Sequence, residues 1–285
     1  MSAQRLLVVD SDAALPEFLA GVLQPGECGI EAAATEKEAV KSLRQAPCDV
    51  VVAGPGRNGF DGLRLLRQVR NAAPLARVIL TGAADPATVI GAIRHRAYSY
   101  FRSPAAPGPL TDMVLQALGT PSWKDDIRLV SARPEWVTLD LGCKMEAVER
   151  TTQFVREIEG DLPPGVREDV AAAFRELLMN AVEHGGHGDP KKRARASLVR
   201  TANSLIVHIH DPGRGFSLGF LPHAAISNPA GSPIHHVEVR AGEGKRPGGF
   251  GILLARNMVD DLLYNERGNA VLFVKRLDKR RAAPQ

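Results

Sequence analysis

The stretch Glu176-Leu177-Leu178-Met179-Asn180-Ala181-Val182-Glu183-His184-Gly185 decides how the C-terminal half of this chain folds. Its apolar residues belong to a stripe formed by Val170, Ala173, Phe174, Leu177, Leu178, Ala181 and Val182. That spacing predicts a long helix over about 166–184 with one buried face. Glu176 and Asn180 are four apart, so they share a face of the helix. A carboxylate and a carboxamide placed this way suit a shared metal–nucleotide site. They also suit an ordinary hydrogen-bonding pair on a helix surface.

Two glycine-rich pieces follow. Asp211-Pro212-Gly213-Arg214-Gly215-Phe216 comes directly after Leu205-Ile206-Val207-His208-Ile209, which has strand composition. Asp211 thus ends a strand, while Gly213 and Gly215 allow a tight turn. Gly248-Gly249-Phe250-Gly251-Ile252 opens a predicted helix over about 252–261. Backbone amides at such a start can cradle a phosphate. Residues 217–247 between the two pieces lack periodicity and are long for a structureless loop. Further strands are expected over 127–130, 136–141, 194–201, 204–210 and 270–275, with a helix over 145–158.

In this order the three pieces resemble the N, G1 and G2 boxes of the GHKL (Bergerat-fold) ATPases, which are α/β sandwiches. The resemblance implies ATP and Mg2+ as cofactors. It makes Glu176 the general base and Asn180 the metal ligand. Asp211 would accept a hydrogen bond from the adenine amine, with Gly213, Gly215, Gly248, Gly249 and Gly251 shaping the nucleotide site. Residues 217–247 become a lid from which Lys245 or Arg246 could reach the terminal phosphate. No histidine lies between His95 and His184, and only about 50 residues separate Ile127 from Glu176. A phosphoacceptor-histidine hairpin has no place there. The segment 127–277 is instead similar to the anti-sigma-factor serine kinases. That implies phosphoryl transfer to an anti-sigma antagonist of STAS type, and a sigma factor as a second partner. A non-catalytic ATP-binding switch that sequesters a partner has the same motifs.

The N-terminal half, 4–118, alternates buried-type strands with helices. Leu6-Leu7-Val8-Val9 leads into Asp10-Ser11-Asp12, and Val50-Val51-Val52-Ala53 and Val78-Ile79-Leu80-Thr81 follow. Continuous apolar runs of this kind mark a parallel sheet covered on both faces. The fold class is therefore α/β, a doubly wound flavodoxin-like domain ahead of the ATPase-like one. The order of Asp10, Phe60-Asp61-Gly62, Leu80-Thr81-Gly82 and Ser103-Pro104 resembles the receiver domain of response regulators. That family uses a carboxylate nucleophile, a carboxylate pair for magnesium and a lysine. Here the nucleophile position, seven residues before Asp61, is Gly54. Ser11 replaces the second acid, Ser103 replaces the lysine, and no Asp or Glu occurs between Val50 and Phe60. A receiver that cannot be phosphorylated is expected, acting in input, docking or dimerisation.

Composition sets outer limits. A length of 285 residues, 44% hydrophobic and 24% charged, suits two domains with their own cores. Residues 119–126 read as a linker and 278–285 as a basic tail. The net charge of +4 is mild, and no nucleic-acid-binding signature accompanies it. No stretch approaches the roughly 18 apolar residues of a membrane helix, so no membrane partner is expected. The three cysteines, Cys28, Cys48 and Cys143, lack metal-ligand spacing and fit reduced thiols in a cytoplasm. His223, His235 and His236 have no acid or cysteine at ligand spacing.

Overall fold

The computed structural model describes residues 4–23, 28–55, 61–83, 85–120, 126–216 and 250–277. By contact the chain divides into two compact units. One comprises Met1–Asp125 with Gln153–Asp161, the other Asp126–Thr152 with Leu162–Gln285.

The first unit holds a five-stranded parallel sheet in the order β2-β1-β3-β4-β5. Its strands are β1 (Gln4–Val9), β2 (Cys28–Ala33), β3 (Val50–Ala53), β4 (Arg77–Gly82) and β5 (Ser99–Arg102). Helices α1 (Ala14–Val22), α2 (Glu36–Gln45), α3 (Gly62–Ala72), α4 (Pro86–Arg94) and α5 (Pro107–Gly119) alternate with them. This is the doubly wound parallel arrangement read from the apolar runs. Leu6, Val8, Val50, Val52 and Ile79 are fully buried and pack with Leu110, Val114 and Ala117 of α5. Each such aliphatic side chain contributes about 1.5–3 kcal/mol on burial. Asp61, at the resembled family's Asp-Gly position, caps α3. Its Oδ1 accepts from the backbone amides of Leu63 and Arg64, both at 3.0 Å. The Ser103–Pro104 peptide bond is cis.

The second unit is built on a six-stranded antiparallel sheet in the order β10-β11-β9-β8-β7-β6. The strands are β6 (Ile127–Arg133), β7 (Trp136–Gly142), β8 (Arg193–Arg200), β9 (Ser204–His210), β10 (Asp261–Tyr264) and β11 (Ala270–Arg276). Helix α6 (Met145–Ile158) precedes α7 (Pro164–Asn180), and α8 (Gly251–Met258) packs closely on α7. The buried stripe of α7 comprises Val170, Ala171, Ala173, Phe174, Leu177 and Leu178. Facing residues on the sheet, Leu139, Leu198, Val207 and Phe273, are equally buried.

Two boundaries differ from the periodicity. The long helix expected over 166–184 is regular only to Asn180. Residues Ala181–Gly185 form a π-helical turn, with the Gly186 amide bonded to the Ala181 carbonyl five residues back at 2.8 Å. Such turns widen a helix locally and occur often at functional sites. The last helix ends at Met258 rather than near 261, because β10 takes Asp261–Tyr264 as the edge strand of the sheet.

Candidate functional site

The crossing of α7 with the start of α8 brings three of the sequence-selected residues together. Gly251 faces Glu176 and Asn180 so closely that a Cβ on it would lie 2.7 Å from Glu176 Oε2 and 3.7 Å from Asn180 Nδ2. The first turn of α8 therefore rests directly on the two polar side chains. The unpaired amides and positive dipole end of a helix start therefore lie beside them. Buried Ile252 and Ala255 seat α8 beyond this turn. Gly248 and Gly249, like the lid segment with Lys245 and Arg246 and the histidines 223, 235 and 236, lie outside the described residues.

Glu176 has a neighbour that the motifs do not announce. The Arg175 guanidinium lies 3.5 Å from Glu176 Oε1 and donates from Nε to both oxygens of Glu149, on α6, at 3.0 Å each. Glu149 keeps Arg175 firmly protonated, chiefly through that hydrogen bond. Arg175 thus places a positive charge beside one oxygen of the Glu176 carboxylate. The pairing joins residues 26 apart in the chain, so no local sequence signal could have revealed it.

The second cluster centres on Asp211, just past β9. Its backbone amide donates to the Asn269 carbonyl at 2.9 Å, and its Oδ1 accepts from the Gly213 amide at 2.7 Å. Gly185, at the end of the π-helical turn, comes so near that a Cβ there would sit 2.2 Å from Asp211 Oδ1. Gly213 has a similar constraint, 2.7 Å from the same oxygen and 2.8 Å from the Gly185 Cα. Desolvation lifts the Asp211 carboxyl above its ordinary value of 3.8, partly offset by the Gly213 hydrogen bond. Gly215 has a φ of +83°, and a side chain on it would overlap the Arg267 carbonyl oxygen. Behind the cluster, Asn265 Oδ1 accepts from the Asn269 and Ala270 amides at 3.0 Å each, bracing the turn into β11. Phe216 meets Tyr264 edge-on, with ring centroids 5.2 Å apart.

In the first unit the carboxyl ends of the strands gather Asp10, Gly54, Thr81 and Ser103. The Gly54 amide donates to the Val9 carbonyl at 2.8 Å. A Cβ on Gly54 would lie 1.8 Å from Asp10 Oδ2. The Asp10 carboxylate thus fills the space that a side chain at position 54 would need. Its other oxygen accepts from the Asp12 amide at 2.9 Å. Nearby, Tyr100 donates its hydroxyl proton to the Ala83 carbonyl at 2.6 Å, and burial pushes its pKa up to about 12.

The comparisons agree with this division. Residues 6–115 match the response regulator receiver domain model, and residues 143–275 match the histidine kinase-like ATPase domain model. No curated protein matches the chain. Among solved structures it is similar to the signal receiver domain of an HD domain-containing protein from Pseudomonas fluorescens Pf-5. That match has 24% identity and a TM-score of 0.38, covering 41% of this chain and 88% of the other. It is also similar to a CheY-like response regulator receiver domain protein from Methanospirillum hungatei JF-1. There the identity is 22% and the TM-score 0.38, covering 41% of this chain and 94% of the other.

Proposed function

We propose that this chain, which carries a response regulator receiver domain and a histidine kinase-like ATPase domain, is a protein serine/threonine kinase of the anti-sigma-factor type. Its substrate would be an anti-sigma antagonist of STAS type. A sigma factor would be a second binding partner and a second copy of the chain a further one, all in the cytoplasm. The receiver would serve for input or docking. One observation carries the reading: Glu176, Asn180 and Gly251 converge where α7 meets α8.

The residues present fit Mg-ATP. The Asn180 carboxamide is a hard oxygen ligand of the kind magnesium takes alongside phosphate and water. The absence of a side chain on Gly251 lets the start of α8 lie against Glu176 and Asn180, and its amides would hold a phosphate there. Bound magnesium would neutralise charge between the phosphates. Glu176 would accept the substrate hydroxyl proton on a carboxylate oxygen, with the Arg175 charge beside it. Asp211 would receive a hydrogen bond from the adenine amine. The α8 amides would steady negative charge that develops on the transferred group.

The test is transfer of labelled phosphate from ATP to purified antagonist proteins. Glu176→Gln should bind Mg-ATP as the wild type does and lose most transfer, while Asn180→Ala should lose the binding itself. Full transfer by Glu176→Gln would remove the kinase assignment. A second reading, an ATP-binding latch without turnover, is favoured by the position of Asp10 over Gly54, since one domain of this chain already stands without its family's chemistry. Saturable binding with no transfer to any antagonist would select it.

A further inference from the structure

A cavity of about 1080 Å³ opens between α2 and α3 of the first unit, with Asp10 and Gly54 at one end. Clefts that bury small ligands run to roughly 300–1,000 Å³, so the space is ample for one. Its two helical walls have matching periodicity. Lys37, Lys41 and Arg44 line it from α2, and Arg64, Gln68 and Asn71 line it from α3. Both sets follow i, i+4, i+7, which places each on a single helix face.

The walls differ in charge. Arg64 is committed to Glu36, donating from Nε at 3.0 Å and from a terminal nitrogen at 2.6 Å. That bidentate pair ties the start of α2 to α3 and leaves no net charge there. Lys37, Lys41 and Arg44 are exposed, and among the described residues none of them is paired with a carboxylate. Exposed cations three and four residues apart repel one another by only about 0.2–0.5 kcal/mol per pair, and a bound anion would relieve that. Opposite them, Gln68 and Asn71 offer uncharged donors and acceptors. Val9, Val40 and Ala72 supply an apolar lining.

We propose that this cavity binds a phosphorylated small molecule of nucleotide size. Its phosphates lie along Lys37, Lys41 and Arg44, and its uncharged part lies against Gln68 and Asn71. Guanidinium and ammonium groups are the side chains that phosphate oxygens pair with. The concave, partly apolar wall favours a compact ligand over a flat acidic protein surface. The receiver would then sense a soluble metabolite in place of phosphorylation.

The experiment is a calorimetric titration of the full chain with inorganic tripolyphosphate in EDTA, followed by GTP. Wild type, Asn180→Ala, Lys41→Ala/Arg44→Ala and Gln68→Trp are compared. Binding should survive in Asn180→Ala, and its dependence on Lys41 and Arg44 is what separates it from the ATPase domain. It should weaken at least tenfold in the double variant, and equally in Gln68→Trp, which fills the cavity without changing charge. GTP should bind Asn180→Ala more tightly than tripolyphosphate does. Lys41→Glu, at an exposed position, keeps the test valid should the tryptophan disturb folding. Four results would overturn the proposal: no binding, binding lost only in Asn180→Ala, affinity unchanged in the double variant, or binding of polyglutamate or phosphatidylglycerol vesicles in place of the soluble probes.

Discussion

Gly185→Ala tests the site most sharply, because a single methyl group is directed at Asp211. The new Cβ would stand 2.2 Å from Asp211 Oδ1, 2.3 Å from Cγ and 2.5 Å from Cβ. These atoms are not the loose end of a long side chain. Asp211 is held by its amide bond to the Asn269 carbonyl and by its carboxylate bond to the Gly213 amide. Relief therefore requires either the β9 end or the π-helical turn to move. Forcing a methyl into a packed site costs about 1–3 kcal/mol. Losing the charged hydrogen bond to Gly213 adds about 1.5–3 kcal/mol if Asp211 swings away. If Asp211 contacts the nucleotide, the same displacement weakens Mg-ATP binding roughly tenfold to hundredfold. Gly165→Ala is the internal control. It lies in the first turn of α7 with nothing within 4 Å, so the extra methyl should stabilise by up to about 1 kcal/mol. Calorimetric titration and thermal melting of both variants read the contrast. Wild-type affinity and an unchanged melting temperature in Gly185→Ala would refute the packing argument.

Three further outcomes are expected. Burial raises the Asp211 carboxyl above 3.8, so the folded protein keeps that proton to higher pH than the unfolded chain does. Its contribution to stability is fully present below 3.8 and declines as pH rises through the raised folded value. Urea midpoints of wild type relative to Asp211→Asn should fall across that window, and Mg-ATP affinity should rise as the carboxylate ionises. Lys275→Met removes bonds from Nζ to Asp169 at 2.8 Å and to the Met258 carbonyl at 2.7 Å. A loss of about 1–3 kcal/mol in chemical denaturation should follow. Gly54→Asp should take up no phosphate from acetyl phosphate, since Ser11 and Ser103 stand where the resembled family has its second acid and its lysine. Stable labelling of that variant at position 54 on a denaturing gel would contradict this.

Much of the architecture was legible because the signals were one-dimensional. Runs such as Leu6–Val9 and Val50–Ala53 are buried at every position, and an unbroken apolar run records that directly. The pair Glu176 and Asn180 was legible as a helical spacing, and Gly251 as a helix start. Strand β2 was not read, because as an edge strand it is mostly half-exposed and its sequence, Cys28-Gly29-Ile30-Glu31-Ala32-Ala33, carries no run. Helix α2 was missed for a related reason: only Ala39, Ser42 and Leu43 of its ten residues are buried. The cavity wall it forms was invisible with it. The π-helical turn leaves no trace in a pattern where Ala181 and Val182 continue the stripe. Gly185 stood in the quoted motif, but its contact with Asp211 exists only once β9 and α7 are brought together.

The position of Asp10 over Gly54 also bears on how such a chain can change over time. A return to a carboxylate at position 54 by one substitution meets an occupied space, and it puts two like charges together before any benefit can appear. Asp10 would have to take another rotamer, and the acid and lysine positions now filled by Ser11 and Ser103 would have to change as well. The packing therefore adds a side-chain rearrangement at Asp10 to the three substitutions that its family's signalling chemistry would require here.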